Sequence, residues 1–218
     1  MDYVEALGRA LLDAEKEEKI RIANALRELE DSEAEPYLLE ALDDGDRYVR
    51  GAAAYALSRI GTPMSEPKLI RLLSDPYFGV RTYAALCLGK LRSRRAVPRL
   101  VEALGDEEEG VVGVAVGALG EIGDAEAVGP LLRLLHDRRH VHGVLLALGH
   151  IGCLDAADAV VEYLDDEDGK VRTSALIALK NMPGAVSQER LDKLLEKEKV
   201  SLNISLAKDI VCTRKNDR

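Results

Sequence analysis

The sequence predicts an all-α protein, a right-handed α-solenoid in which antiparallel helix pairs stack one after another. Three observations carry this prediction. The chain of 218 residues repeats itself at steps of 31, 31, 31 and 29 residues. Each repeat holds two apolar segments with the spacing of an α-helix. Aromatic residues make up only 4% of the chain and tryptophan is absent, so the core has to be built from Leu, Val, Ile and Ala packed between closely spaced helices.

The first helix of each repeat opens at one of five equivalent positions: Pro36, Pro67, Pro98, Gly129 and Asp158. Proline suits this place because the first N–H groups of a helix need no partner within the helix. Leucine-rich segments such as "PYLLEAL" and "PRLVEAL" follow these positions. The repeat therefore begins with a short amphipathic helix.

An aspartate stands in the predicted turn between the two helices of every repeat, where its carboxylate can accept hydrogen bonds from free N–H groups near the second helix. The second helix then presents one apolar face, exemplified by Val80, Ala84, Leu88 and Leu91. The turn aspartates are Asp44, Asp75, Asp106, Asp137 and Asp166.

Two helices of this size cannot bury their apolar faces alone, whereas stacked neighbours can. We therefore expect a single solenoid domain over residues 1–218, with five repeats in 35–182. The more highly charged segments 1–32 and 184–218 suit terminal cap helices, which cover the core on one side and face water on the other.

The order of proline, Leu-rich helix, Asp, Val-Arg and Ala-x-x-Ala-Leu-Gly-x-Ile-Gly resembles the HEAT repeat. It is most similar to the short HEAT-like units named after phycobilisome lyases. The resemblance covers about two thirds of the chain clearly. It is specific for a fold and much less so for a function, because such solenoids serve many tasks.

The resemblance implies a polar ladder in which the turn Asp and the Arg after the valine link neighbouring repeats. Arginine stands at this position as Arg50, Arg81 and Arg172, whereas Val112 and Val141 replace it in the third and fourth repeats. Two arginines in the shortened fourth turn are candidates to compensate. The simpler role of the aspartates is to cap the turn. The sequence does not decide between capping and ion pairs that link the repeats.

The resemblance also places the second helices on the concave side of the solenoid, where partners bind. Once the core positions of the second helices are set aside, equivalent positions on the opposite side form a row along the repeats that is not consistently charged. This row predicts a groove for a partner protein or peptide. The alternative is that these side chains pack between adjacent second helices. The predicted partner-binding residues are Tyr55, Leu86, Gly113, Gly117, His142, Leu146, His150 and Ile177.

The segment "GVVGVAVGALGEIGD" at 110–124 is predicted to be the second helix of the third repeat, in spite of its glycines. Gly113, Gly117 and Gly120 are expected to share the groove side, so that a partner's backbone approaches closely. Aromatic residues gather in the first two repeats, as interface anchors or as packing against the N-terminal segment. They are Tyr48, Tyr55, Tyr77, Phe78 and Tyr83.

Composition argues against several classes of function. The net charge of −9 disfavours nucleic-acid binding, and no apolar run is long enough to cross a membrane. Three widely spaced cysteines indicate a reducing compartment, so we expect a cytoplasmic protein. The four histidines lie between 136 and 150, but their spacing brings no tetrahedral ligand set together, and neither a metal nor another cofactor is expected.

Catalytic relatives of the resembled family leave one alternative open. The His-Glu steps of deoxyhypusine hydroxylase and the basic, aromatic groove of HEAT-like DNA glycosylases are both missing here. Bilin lyases have no short motif that the sequence can be tested against. The sequence thus favours a non-enzymatic scaffold for a protein partner, with a bilin or tetrapyrrole lyase or chaperone subunit as the alternative.

Overall fold

The chain divides into two compact units, Met1–Ala118 and Leu119–Arg218. The computed structural model describes residues 3–182, 184–187, 189 and 205–210. Over these residues every regular element is an α-helix or a short 3-10 turn, and no strand occurs. The predicted all-α fold of stacked helix pairs is confirmed.

Seven complete helices and the start of an eighth belong to the first unit, and the boundary falls inside α8. They are α1 (Tyr3–Asp13), α2 (Lys16–Leu29), α3 (Glu35–Ala41), α4 (Arg47–Ile60), α5 (Glu66–Leu72), α6 (Phe78–Lys90), α7 (Val97–Glu102) and α8 (Glu109–Ile122). The second unit continues with α9 (Val128–Leu134), α10 (Val141–Ile151), α11 (Ala157–Glu162) and α12 (Gly169–Lys180), and residues 205–210 are helical.

Helices α1 and α2 form a pair within the predicted N-terminal cap, and α2 packs against α4 as α4 packs against α6. In the second unit α10 packs against α12 in the same way. Most of the predicted C-terminal cap, 184–218, lies outside the described residues.

Leucines near the end of each second helix form the centre of both units. Each of them is at most 2% exposed, because the apolar face of one second helix is covered by its own first helix and by its neighbours. These leucines are Leu57, Leu88, Leu119, Leu148 and Leu179.

The glycines of α8 do not share one environment, and the expectation for Gly120 is wrong. Gly113 and Gly117 are exposed, and a Cβ added at either would meet no atom within 4 Å. Gly120 is buried, and a Cβ there would lie 2.8 Å from the Cα of Ala147 on α10. Gly149 meets Ala178 of α12 in the same manner, at 2.5 Å. Glycine at these two positions lets consecutive second helices approach closely.

All five turn aspartates make the same local hydrogen bond. Each carboxylate accepts from the backbone N–H two residues further on, at 2.8 to 3.0 Å. The acceptor therefore stabilises the sharp turn that leads into the second helix. The aspartates that accept this hydrogen bond are Asp44, Asp75, Asp106, Asp137 and Asp166.

Two arginines extend these turns into a ladder between repeats. Arg50 donates from Nε and Nη2 to both carboxylate oxygens of Asp75, at 2.8 and 3.0 Å, and from Nη1 to the Asp44 carbonyl at 2.9 Å. Arg81 binds Asp106 in the same bidentate way, with both distances 2.7 Å, and the Asp75 carbonyl at 2.9 Å. Each arginine thus joins its own turn to the next one through planar, charge-assisted hydrogen bonds.

The ladder begins one repeat before Arg50, the first position predicted from the sequence, and its cations come from different positions in the second unit. Lys19 on α2 binds Asp44 at 2.8 Å, with the same 25-residue separation as the two arginine rungs. In the second unit Val141 is buried at the arginine position, and Arg138 from the shortened turn binds Asp166 instead, at 3.0 Å from Nη2. Arg172 keeps the contact to its own turn, donating to the Asp166 carbonyl at 2.8 Å.

A second polar row, absent from the sequence-based expectations, joins the starts of the first helices in the first unit. The buried Glu35 carboxylate accepts from the backbone N–H and the hydroxyl of Thr62, at 3.0 and 2.8 Å. Ser93 donates to Glu66 in the equivalent place at 2.5 Å. No buried side-chain nitrogen or oxygen of the described residues lacks a hydrogen-bond partner.

The contrast between two glycines of α8 gives a matched test of this packing. Gly117→Ala should raise the free energy of unfolding by about 1 kcal/mol, because it adds helix propensity in open space. Gly120→Ala should lower it by about 1–3 kcal/mol, because its Cβ meets the α10 backbone. Urea unfolding followed by circular dichroism measures both. Equal effects of the two changes would contradict the packing described.

The ladder predicts a specific loss of stability on acidification. Burial opposes ionisation of Asp106, but the Arg81 hydrogen bond, the Glu108 N–H and the Arg81 charge outweigh it and lower its pKa. A lowered folded-state pKa adds stability above the unfolded value of about 3.9, and this stability is lost as the pH falls through the folded value. Arg81→Met should lower the unfolding free energy by about 2–3 kcal/mol at neutral pH.

The same variant should show a shallower decline in stability than the wild type between about pH 5 and pH 2, because the Arg81-dependent part is already gone. Arg99→Met is the matched control, since Arg99 makes an exposed ion pair with Glu102 within α7 at 2.7 Å. We expect that control to change stability by less than about 0.5 kcal/mol. Urea unfolding at several pH values tests the pair, and indistinguishable variants would rule out the ladder as a source of stability.

Candidate functional site

An open cleft of about 560 Å³ lies on the second helices of the first unit. Its floor contains small or short side chains, including Gly51, Ala52, Gly79 and Thr82. The volume falls within the range of about 300–1,000 Å³ that is usual for ligand clefts. Aromatic walls enclose this floor, so the cleft is predominantly apolar, and its remaining lining residues are Ile20, Asn24, Tyr48, Tyr55, Tyr77, Phe78 and Tyr83.

The aromatic side chains form pre-arranged groups rather than separate rings. Tyr55 of α4 stacks on Tyr83 of α6, with centroids 4.7 Å apart and planes 26° apart. Tyr48 meets Tyr77 edge to face at 5.5 Å, and Tyr77 lies 5.0 Å from Phe78. Such contacts hold the rings in place before any ligand arrives. Gly79 permits this arrangement, because a Cβ there would lie 2.8 Å from the Tyr77 ring.

Three cations lie on these rings. Arg27 is 4.4 Å from the Tyr55 centroid, Lys16 is 4.8 Å from that of Tyr48, and Arg47 is 4.9 Å from both Tyr48 and Tyr77. Lys16 and Arg27 belong to α2, so the aromatic residues do contact the N-terminal segment. Tyr48 and Phe78 nevertheless remain 43% and 46% exposed. The cleft therefore combines an uncharged lining with a positively charged margin.

The structure brings one of the predicted partner-binding residues of the first unit into this cleft. Tyr55 is half-buried and forms part of its wall. Leu86 is half-buried on α6 outside the cleft lining, and Gly113 and Gly117 are exposed on α8. All four positions are exposed or half-buried. Their role in binding stays a prediction.

The predicted residues of the second unit are also accessible. His142 and His150 are exposed on α10, whereas Leu146 and Ile177 are half-buried on α10 and α12. Nδ1 of His142 lies 2.5 Å from the hydroxyl of Ser174, which is buried and also contacts the Lys170 carbonyl at 2.9 Å. His142 thus packs across to the next second helix through a hydrogen bond, and its binding role likewise stays a prediction.

A second cleft, of about 400 Å³, lies near the C-terminal ends of second helices in the first unit, and the thiol of Cys87 is part of its lining. Its charged side chains are engaged, since Arg59 pairs with Glu30 and Lys90 donates to the Ser58 carbonyl at 3.0 Å. Burial raises the pKa of Cys87 to about 12, against a weaker opposite effect of Lys90. The Cys87 thiol therefore stays protonated at neutral pH and is a poor nucleophile.

Among the described residues, no three His, Cys, Asp or Glu side chains form a group that could hold a metal ion. Within the same part of the chain, no helix is both long and apolar enough to span a bilayer.

The cations of α2 that cover the aromatic rings were not predicted from the sequence. Lys16 and Arg27 were not assigned to the site, because the first helix pair was treated as a cap and was not aligned with the repeats. Counting back by one repeat of 31 residues would have placed Lys19 in the Arg50 row and Ile20 in the Gly51 row. Arg27 lies outside these rows, and only the packing of α2 on α4 places it over Tyr55.

The comparisons with known proteins agree with the helical repeat fold. The family model described as HEAT repeats matches residues 4–82 and 66–141, which confirms the resemblance stated from the sequence. Comparison with curated protein sequences gives no match.

Solved structures similar to this chain are helical repeat proteins. The complex of CpcE and CpcF of phycocyanin lyase from Nostoc sp. PCC7120 matches with a TM-score of 0.64 and 22% identity, over 97% of this chain and 95% of that one. An engineered protein matches with a TM-score of 0.66 and 23% identity, over 95% of this chain and 67% of that one. A designed armadillo repeat protein matches at 0.59 and 22%, over 80% and 97%. At this identity the likeness shows the fold.

Proposed function

The chain belongs to the HEAT repeat family, and on that premise we propose that it is a non-enzymatic scaffold that binds a partner protein through the exposed faces of its second helices. The observation that carries the proposal is the aromatic cleft of the first unit. Tyrosine is favoured at protein interfaces because it offers a large contact area at a low cost in side-chain entropy. Here four tyrosines and a phenylalanine line one accessible cleft.

Additional support comes from the other predicted partner-binding residues of each unit. Gly113 and Gly117 leave the accessible face of α8 without side chains, which would allow a partner's backbone to come close. In the second unit, Leu146 and Ile177 supply half-buried apolar surface beside the two exposed histidines. We propose both groups as secondary contact areas for the same class of partner. The net charge of −9 disfavours nucleic acid as that partner.

A subunit of a bilin or tetrapyrrole lyase is the second candidate function. The observation that favours it is the likeness to a lyase complex over nearly the whole length of both chains. A planar ring system with carboxylates would also suit aromatic walls with cations at their margin. The likeness to the lyase complex shows the fold alone, whereas the aromatic cleft is a feature of this chain, so we rank the scaffold first.

Replacing the predicted partner-binding leucines with glutamate should abolish partner capture without unfolding the chain. The variants are Leu86→Glu and Leu146→Glu, separately and together, used as immobilised bait in extract from the native cells. We expect a partner retained by the wild type to be lost from the double variant, since a carboxylate in an apolar contact is costly. Quantitative mass spectrometry measures the retained proteins, and circular dichroism checks the fold.

Leu154→Glu is the matched control for these variants, because Leu154 is 57% exposed on the turn before α11 and outside the rows. It should keep the partner at the wild-type level. If the wild type and the double variant retain a partner equally, Leu86 and Leu146 are not part of its binding surface.

The scaffold proposal and the lyase alternative differ in a simple optical measurement. Mixed with biliverdin, the protein should leave the visible absorption spectrum of the pigment unchanged if it is a scaffold without a chromophore site. A spectral shift that saturates on titration, and that Gly51→Met removes by filling the cleft, would favour the lyase subunit instead. Serum albumin, which binds many planar acids, serves as the positive control for the pigment.

A further inference from the structure

The margin of the cleft in the first unit carries three cations in a protein that is acidic overall. None of its eleven lining residues is charged, and the three side chains that cover its rings are all cations. The whole chain carries 39 acidic and 30 basic residues. These cations oppose a basic ligand at the cleft and favour an acidic one.

Only one of the three cations keeps its charge available. Lys16 pairs with Asp46 at 3.0 Å, and Arg27 pairs with Glu28. Arg47 is exposed, contacts the Tyr48 and Tyr77 ring faces and donates to the Tyr48 hydroxyl at 3.1 Å. No carboxylate of the described residues lies within 4 Å of its guanidinium. Its planar fork can therefore receive a carboxylate of a ligand.

Arg47 stands at the N-terminus of α4, directly after the Asp46 carboxylate that caps this helix. It is the first residue of α4, where the partial positive charge of the helix N-terminus repels a cation. Contact with two aromatic rings offsets part of that repulsion. Arg47 is thus a cation at the margin of an open cleft that has no carboxylate partner among the described residues, which leaves it able to bind an anionic group of a ligand.

The floor beside Arg47 offers space for one flat apolar side chain. Gly51 lies between two tyrosines of the cleft wall on α4. Tyr48 precedes it by three residues and Tyr55 follows it by four. The nearest atom to a Cβ at Gly51 would be Cγ2 of Val80, at 3.9 Å. Tyr55 has Arg27 and Tyr83 as ring neighbours and forms part of the wall of the cleft, where it can contact the ring of a ligand.

We propose that this cleft binds an acidic, aromatic-bearing segment of the partner protein, with the aromatic side chain over Gly51 and a carboxylate at Arg47. This inference rests on the proposed function and adds the chemistry of the segment that is recognised. The aromatic side chain supplies the apolar contact, and the charge selects against basic segments, which Arg47 repels.

The absence of tryptophan from the chain makes a direct titration possible. The probe is the peptide acetyl-Glu-Asp-Trp-Asp-Glu-amide, excited at the red edge of indole absorption, where tyrosine contributes little. We expect saturable binding to the full chain, measured as fluorescence anisotropy and as a change in indole emission. The charge-reversed peptide acetyl-Lys-Lys-Trp-Lys-Lys-amide should bind at least about fivefold more weakly, as one exposed ion pair and its reversal imply.

Variants of the protein separate charge from cleft shape. Arg47→Glu should weaken the acidic peptide by at least about fivefold and narrow or reverse the preference between the two peptides. Arg71→Glu is the matched control, because Arg71 is an exposed arginine at the end of α5 and the same net charge results. Gly51→Met should abolish binding of both peptides by filling the cleft. Thermal melts followed by circular dichroism check that each variant folds.

If Gly51→Met fails to fold, the comparison of the two peptides on the wild type and on Arg47→Glu is sufficient to test the proposal. Equal binding of the two peptides, or equal effects of Arg47→Glu and Arg71→Glu, would overturn the proposal. Displacement of the acidic peptide by biliverdin together with a pigment shift would also overturn it in favour of a tetrapyrrole site. If the peptide does not bind while partner capture still depends on Leu86 and Leu146, the scaffold stands and the recognised chemistry is wrong.

Discussion

Contact between one second helix and the next is the constraint on which the remaining structure depends. The first helices contain only six or seven residues, too few to cover the apolar face of a second helix alone. Each pair therefore needs its neighbour, and the neighbour must come close. Gly120 and Gly149 make this possible, because the adjacent backbone occupies the space of their missing side chains. The polar ladder and the accessible rows both follow from that stacking.

The ladder is a consequence of stacking at a constant step. Once the turns lie one repeat apart, a side chain at the start of one second helix reaches the aspartate of the next turn, as Lys19, Arg50 and Arg81 do. Bidentate hydrogen bonds and satisfied carbonyls compensate for removing these charges from water. Where valine takes the arginine position at Val141, burial of apolar surface replaces the ion pair, and Arg138 supplies the cation from a different backbone position.

Periodicity within the sequence was sufficient to predict the fold class, because every repeat restates the same pattern of leucines and turn aspartates. It failed at Gly120. On a helix, Gly120 lies almost directly along the axis from the exposed Gly113, seven residues earlier. One is buried and the other exposed because burial depends on where along the axis the next helix crosses. That crossing point is a property of two helices, and a pattern read along one helix does not contain it. For the same reason the tyrosines were found but the ring-covering cations of α2 were not.

Helix α4 departs from the rules of helix stability at the cleft. Gly51 in its interior lowers helix propensity by about 1 kcal/mol relative to alanine, and Arg47 in its first turn opposes the dipole by a few tenths of a kcal/mol or more. Space at Gly51 is sufficient for a Cβ, so close packing does not account for the glycine. Packing of α4 between α2 and α6 is extensive enough to tolerate both residues. Both residues lie at the cleft, and the exposed Gly113 and Gly117 of α8 likewise lower helix propensity without a packing reason, at positions where we propose that a partner binds.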